Sequence, residues 1–268
     1  MQLFNILVLA VVQGITEFLP ISSSAHLALL HQLNGPTGND IALDVAVHLG
    51  SIFAVIVYFR GDAHRALAGL WALLRGNFCH PDRPLAAHLA IATVPILVSG
   101  AVILALGVEQ ALRDMRVIGW TMIVFGILLW AIDRHAAETL SAPQWTPRRA
   151  LIMGLWQALS VIPGVSRSGA SITGARALGF ERHDAARLSM LMSIPTTLAT
   201  GAVLMRDMTT VEALGPFLAN AALASVFAFA AAYTALTVMM RLLARVSFTP
   251  YVIYRVALGV LLLGLAYS

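Results

Sequence analysis

Gln13-Gly-Ile-Thr-Glu17-Phe-Leu-Pro20-Ile-Ser22-Ser23-Ser24-Ala-His26 interrupts an apolar stretch, and its reading decides the fold. The ten residues ahead of it are mostly apolar and suit a helix. Pro20 lacks a backbone donor and disfavours helical torsions in the residue before it, so that helix ends there. Ser22 stands where an N-cap belongs, just before a second apolar run. A second stretch has the same grammar: Gln157, a break at Pro163-Gly164, then Ser166-Arg167-Ser168. Gln13 to Ser22 and Gln157 to Ser166 are both nine residues, and Ser24 and Ser168 keep the same offset of 144.

Composition says what surrounds these breaks. The chain has 268 residues, 59% apolar and 11% charged, against about 45–50% and about 25% in soluble domains. That excludes an ordinary soluble enzyme and a disordered chain. Cys79 is the lone cysteine, which excludes a disulfide framework and a cysteine-built zinc site. Net charge is +4, carried by 17 arginines and no lysine. In a membrane protein such charge belongs to cytoplasmic loops rather than to a nucleic-acid face, so no nucleic-acid partner is expected.

A bilayer span takes about 20 mostly apolar residues. Six runs qualify: 41–59, 85–106, 117–132, 185–205, 217–240 and 250–266. The polar stretch 61–75 is expected to lie along the interface. Segments 3–33 and 149–178 hold two short halves each, too short to cross, and read as re-entrant helical hairpins. The expected fold is an all-α integral membrane protein, a single domain over 1–268, with six transmembrane helices plus two re-entrant hairpins. Repeat 1 covers about 1–135 and repeat 2 about 148–268, each a hairpin followed by three spans. Three is odd, so the second copy is inverted, as in transporters whose site lies at the midplane between broken helices.

Arginines set the expected orientation. With the N-terminus outside, thirteen of them, from Arg60 to Arg255, fall on cytoplasmic segments, against Arg113, Arg116 and Arg206 outside. Both termini and the first hairpin's opening are then expected on the outer side. Residues 1–20 lack the charged leader and cleavage site of a signal peptide.

Two helix N-termini meeting at the breaks would present unpaired N–H groups and partial positive charge, a seat for phosphate. Arg167 adds a planar charge suited to it, and an intramembrane arginine is functional by default. Ser22, Ser23, Ser24, Ser168 and Ser171 add hydroxyls. Gln13 and Glu17 are i and i+4, on one helix face, and His26 shares a face with Ser22 and Ser23. A carboxylate, a serine and a histidine at an anion seat suit phosphoryl transfer. Asp44 and His48, also i and i+4, are candidate supports for the site.

The run Gly14 to His26 resembles the first signature of the bacterial undecaprenyl-diphosphatase, or bacitracin-resistance, family. Pro163-Gly164-Val-Ser166-Arg167-Ser168-Gly169 resembles its second, and Asp44…His48-Leu-Gly50 and Ser247…Tyr254-Arg255 extend the resemblance along the chain. The resemblance implies a bacterial inner-membrane enzyme that removes the terminal phosphate of a polyprenyl diphosphate lipid. The product is the carrier lipid for peptidoglycan synthesis. It also implies a divalent cation, magnesium or calcium, and a site on the outer side; a homodimer is compatible with it. Glu17 matches the family's essential second acid and would ligate the metal. Ser23 matches a serine proposed as nucleophile or phosphate ligand, His26 the histidine after it, and Ser166 and Arg167 the diphosphate-binding pair. The family's first acid is often Glu where this chain has Gln13, and a common Thr corresponds to Ser171. Ser23, His26 and water stay open as nucleophile, and Glu17 stands beside His26 as base. The rival reading from another class is a polyprenyl-phosphate flippase or anion transporter, which turnover would distinguish from a phosphatase by releasing phosphate.

Overall fold

The computed structural model describes residues 3–34, 40–206 and 214–267; side chains at 31–34, 40–42, 203–206 (Arg206 among them) and 214–217 lie outside the described residues. Among the described residues the regular elements are helices. The first half holds α1 (Leu3–Phe18), α2 (Ser23–Asn34), α3 (Asp40–Tyr58), α4 (Arg60–Leu74), α5 (Arg83–Leu106), the short α6 (Glu109–Leu112) and α7 (Met115–His135). The second half holds α8 (Pro147–Ala158), α9 (Arg167–Ala177), α10 (Arg182–Arg206), α11 (Leu214–Leu242) and α12 (Thr249–Tyr267). A single bridge joins Leu140 and Phe180.

The chain is a multi-pass membrane protein by its apolar helices. Among the described residues, α5, α7, Leu218–Leu242 of α11 and α12 are long and apolar enough to cross. Leu43–Tyr58 followed by α4 makes a fifth candidate, bent by 97°. That bend turns the 61–75 stretch away from the line of α3, with Leu67, Leu70, Trp71 and Leu74 exposed along it. The sixth expected span, 185–205, runs along α10, which is not among the candidate spans found in the described residues; the side chains at its end, 203–206, lie outside them. Its sequence carries Arg187, Ser189, Ser193, Thr196 and Thr197, and all but Arg187 are buried. A helix enclosed by protein can turn polar groups inward, so mean hydropathy understates how deep it lies.

Packing follows close backbone approach. α1 packs on α11, α8 on α5, α3 on both α10 and α11, and α7 on α12. A Cβ at Gly14 would meet the Ala228 carbonyl oxygen at 2.5 Å, and one at Gly154 would meet that of Ala92 at 2.5 Å. Small residues at such crossings let dispersion replace the hydrophobic force that lipid does not supply between helices. Phe18, Ile52, Met153, Ile172, Phe180 and Leu236 belong to the main buried cluster.

At the far end of α7, Asp133 collects a buried ion network. Its Oδ1 accepts from Arg176 Nε at 2.7 Å and Arg182 Nε at 2.9 Å. Arg176, fully buried, also donates to the carbonyls of Phe180 at 2.6 Å and Asp133 at 3.1 Å. This ties the ends of α7 and α9 to the start of α10. Breaking a buried pair leaves an uncompensated charge, at about 3–5 kcal/mol. Asp133→Ala is expected to lower the thermal unfolding midpoint in detergent markedly; an unchanged midpoint would show the network to be dispensable.

Two arginines assigned on sequence to cytoplasmic segments are fully buried. Arg176 lies in α9 and Arg255 in α12, both with no exposed surface. The terminal amino groups of each find oxygen partners inside the protein, which offsets part of the desolvation cost, while Arg255 Nε has no hydrogen-bond partner.

Candidate active site

Both predicted breaks exist, and each is built around a serine in the left-handed region. Ser22 has φ 71° and Ser166 φ 69°, the positive-φ residues other than glycine among those described. Such torsions cost about 1–3 kcal/mol in a residue with a Cβ and persist only where surroundings impose them. The two strained serines keep the 144-residue offset read from the sequence. After α1, Pro20 sits in a tight turn closed by Ile21 N–H donating to Leu19 O at 2.7 Å. After α8, a short 3-10 turn (Leu159–Val161) leads to Pro163 and Gly164, whose φ is +89°. Ser166 caps α9 by accepting from the Gly169 N–H at 3.1 Å.

The breaks touch each other. Gly164 N–H donates to Ser24 Oγ at 3.2 Å, and Ser168 Oγ donates to Leu19 O at 3.0 Å. Within each break the flanking hydroxyls also pair, Ser22 with Ser24 at 3.0 Å and Ser166 with Ser168 at 3.2 Å. Thr121 Oγ1 on α7 donates to Pro163 O at 2.6 Å. The N-termini of α2 and α9 are thereby held side by side, the arrangement that favours an anion.

Glu17 is the hub. Its Oε2 accepts from Gln13 Nε2 at 2.7 Å and from Ser23 Oγ at 2.8 Å. Its Oε1 accepts from Arg167 Nη2, across 150 residues of sequence. Arg167 also donates from Nη1 to Thr197 Oγ1 and to the Ser193 carbonyl. His48 Nε2 lies 3.7 Å from Glu17 Oε2, within ion-pair reach of a protonated ring. The other His48 nitrogen, Nδ1, donates to the Asp44 carbonyl at 2.6 Å, so Asp44 supports the site through its backbone. Arg167, Ser23, His26 and His48 are only partly buried, while Glu17 and Gln13 are buried.

The structure thus brings together Gln13, Glu17, Ser22, Ser23, Ser24, Asp44, His48, Ser166, Arg167 and Ser168. Ser171 faces elsewhere: its hydroxyl pairs with Ser189 Oγ of α10 at 2.5 Å and donates to Arg167 O at 2.8 Å. It shapes α9 beneath Arg167 rather than pointing at the breaks. His26 packs at the start of α2, its ring bonded to Ser22 O and Tyr254.

Sequence reasoning missed Arg255 as part of this centre. Its guanidinium donates to Pro20 O at 3.4 Å, Gly164 O at 3.0 Å and Val165 O at 2.9 Å, so one side chain binds the carbonyls of both breaks. Gly126 and Gly169 leave room for it: a Cβ at Gly169 would meet Arg255 Nη1 at 2.7 Å. The signal was present, since an arginine inside an apolar run is functional by default.

Among the described residues no three His, Cys, Asp or Glu side chains cluster as a metal site. The oxygen donors at the hub still suit a hard cation. Gln13 Oε1 is buried with no hydrogen-bond partner, beside the Glu17 carboxylate. One carboxylate, one amide oxygen and substrate phosphates are the donors by which magnesium is commonly held.

Comparison with known proteins gives the family. The family described as bacitracin resistance protein BacA matches residues 6–261. An undecaprenyl-diphosphatase of Dinoroseobacter shibae is 56% identical over 268 residues, the whole of both chains. One of Ruegeria pomeroyi is 52% identical over the same full length. One of Alcanivorax borkumensis is 42% identical over 266 residues, 98% of each chain. A match over nearly the whole length, across both breaks and α12, places this chain in the bacitracin resistance protein BacA family.

Proposed function

We infer that this protein hydrolyses undecaprenyl diphosphate to undecaprenyl phosphate and inorganic phosphate, recycling the carrier lipid for cell-wall synthesis. The observation that carries this reading is one chain of bonds. Ser23 Oγ donates to Glu17 Oε2 at 2.8 Å, and the other oxygen of that carboxylate is held by Arg167. A nucleophile, its base and a phosphate clamp are thereby joined at two helix N-termini.

The diphosphate displaces Arg167 in part from Glu17 and takes its guanidinium bidentately, with the free N–H groups of α2 and α9 on its oxygens. Ser23 Oγ, or a water in its place, attacks the terminal phosphorus and gives its proton to Glu17. The bond to the bridging oxygen breaks, and undecaprenyl phosphate leaves with that oxygen. Where Ser23 attacks, water then cleaves the phosphoserine. Glu17 and Gln13 Oε1 would hold a magnesium or calcium ion. When bound, that ion offsets diphosphate charge.

For the setting, we propose an inverted pair of repeats. α1–α2 and α8–α9 are the re-entrant hairpins, and α3, α5, α7 and α10, α11, α12 are their spans. Support comes from the matched strained serines and from the matched pairing of α1 with α11 and α8 with α5. The arginine asymmetry supports an inner-membrane protein with termini and site opening outward. The transporter reading draws no comparable support from the Ser23–Glu17 bond, which transport does not need.

The test is phosphate release from a polyprenyl diphosphate by the purified protein in detergent, with magnesium or calcium and then with chelator. Release that chelator suppresses is expected, and Glu17→Ala is expected to lower it about 10²-fold or more. A native protein that binds the lipid and releases no phosphate would overturn the reading.

A further inference from the structure

His26 has both ring nitrogens engaged. Nδ1 lies 2.7 Å from the Ser22 carbonyl oxygen, and a carbonyl only accepts, so Nδ1 carries the proton. In the neutral ring Nε2 is then an acceptor. Tyr254, on α12 and 228 residues away in sequence, places its hydroxyl 2.6 Å from that Nε2. The two rings are parallel within 2°, with centroids 5.6 Å apart. That offset lets the hydroxyl meet the edge of the imidazole rather than its face.

The neighbouring residue explains why Tyr254 is held there. Arg255 is fully buried and bonded to Pro20, Gly164 and Val165 carbonyls, which fixes the depth and rotation of α12 against both breaks. Tyr254 itself is 44% exposed, so burial of its ring does not account for its position. His26 in turn braces the carbonyl of Ser22, the strained residue at the start of α2. A line of contacts therefore runs from α12 through His26 into the phosphate-binding break.

We propose that Tyr254 is a positioning residue for the reaction: its hydroxyl fixes His26 as the Nδ1–H tautomer, with the ring turned to hold the Ser22 carbonyl. This rests on the phosphatase reading above. Without the hydroxyl, Nε2 loses its donor, the second tautomer and other ring orientations become accessible, and Ser22 loses its brace for part of the time. The substrate's grip on Arg167 is untouched, so the loss falls on turnover.

The experiment is Tyr254→Phe, which keeps the ring and removes the hydroxyl. In the full-length protein, kcat for phosphate release is expected to fall about tenfold with KM within about twofold and an unchanged thermal midpoint. Nitrogen-15 spectra of histidine-labelled protein are expected to show His26 as the Nδ1–H tautomer in the native chain and a mixture in the variant, with His26→Gln giving the assignment. That spectrum reads the contact even if the native protein releases no phosphate, which separates failure of this proposal from failure of the phosphatase reading. Identical His26 spectra in the two proteins would overturn the proposal, as would a variant with native kcat.

Discussion

Arg167→Ala is expected to lower phosphate release about 10³-fold, the size of effect found when a charge-stabilising arginine or oxyanion donor is removed from phosphoryl or acyl transfer. Arg167 is the cation bonded directly to Glu17, and Thr197 and the Ser193 carbonyl aim its second amino group. Those contacts pre-organise the fork, so little is lost to reorganisation when the diphosphate arrives. Arg167→Lys keeps the charge but loses the two-pronged geometry, and is expected to recover only a small part of the loss. Folding should change less than activity, because Glu17 keeps Ser23 and Gln13 as donors. Initial-rate kinetics and a thermal melt on the same preparations check this. A variant within tenfold of the native rate would remove Arg167 from the centre.

Arg255→Ala is expected to cost about 3 kcal/mol or more, because it leaves three buried carbonyls without their donor, each worth roughly 1–3 kcal/mol. Pro20, Gly164 and Val165 lie on the two breaks, so the damage concentrates where Ser22 and Ser166 are held at positive φ. Arg255→Lys cannot reach all three oxygens from one ammonium, and is expected to retain much of the defect. A lowered unfolding midpoint together with lost turnover is the expected result. A midpoint equal to the native one, with full activity, would show that the breaks hold their shape without the arginine.

Much of the site was legible in the chain itself. Pro20 and Pro163-Gly164 stop helices because a fixed φ and a missing donor act within one turn. Ser166 starts the next helix because its hydroxyl takes up the Gly169 N–H, while at Ser22 the hydroxyl pairs with Ser24 instead. Glu17, Ser23 and Arg167 stand out because ionisable groups beside such breaks, in so apolar a chain, need a reason to be there. The apolar run 185–205 was legible along α10, but not that Ser189, Ser193, Thr196 and Thr197 on it are buried against its neighbours.

Local chemistry in the sequence therefore determined where the helices break and which groups flank each break. Only the tertiary structure decided the partners. Glu17 meets Arg167, His26 meets Tyr254 and Arg255 meets Pro20 across separations of 150, 228 and 235 residues, and Arg255 also reaches Gly164 across 91. Helix periodicity sets what lies within about a turn of a residue, whereas a guanidinium chooses its oxygens by where folding brings them, and that choice leaves no spacing to read.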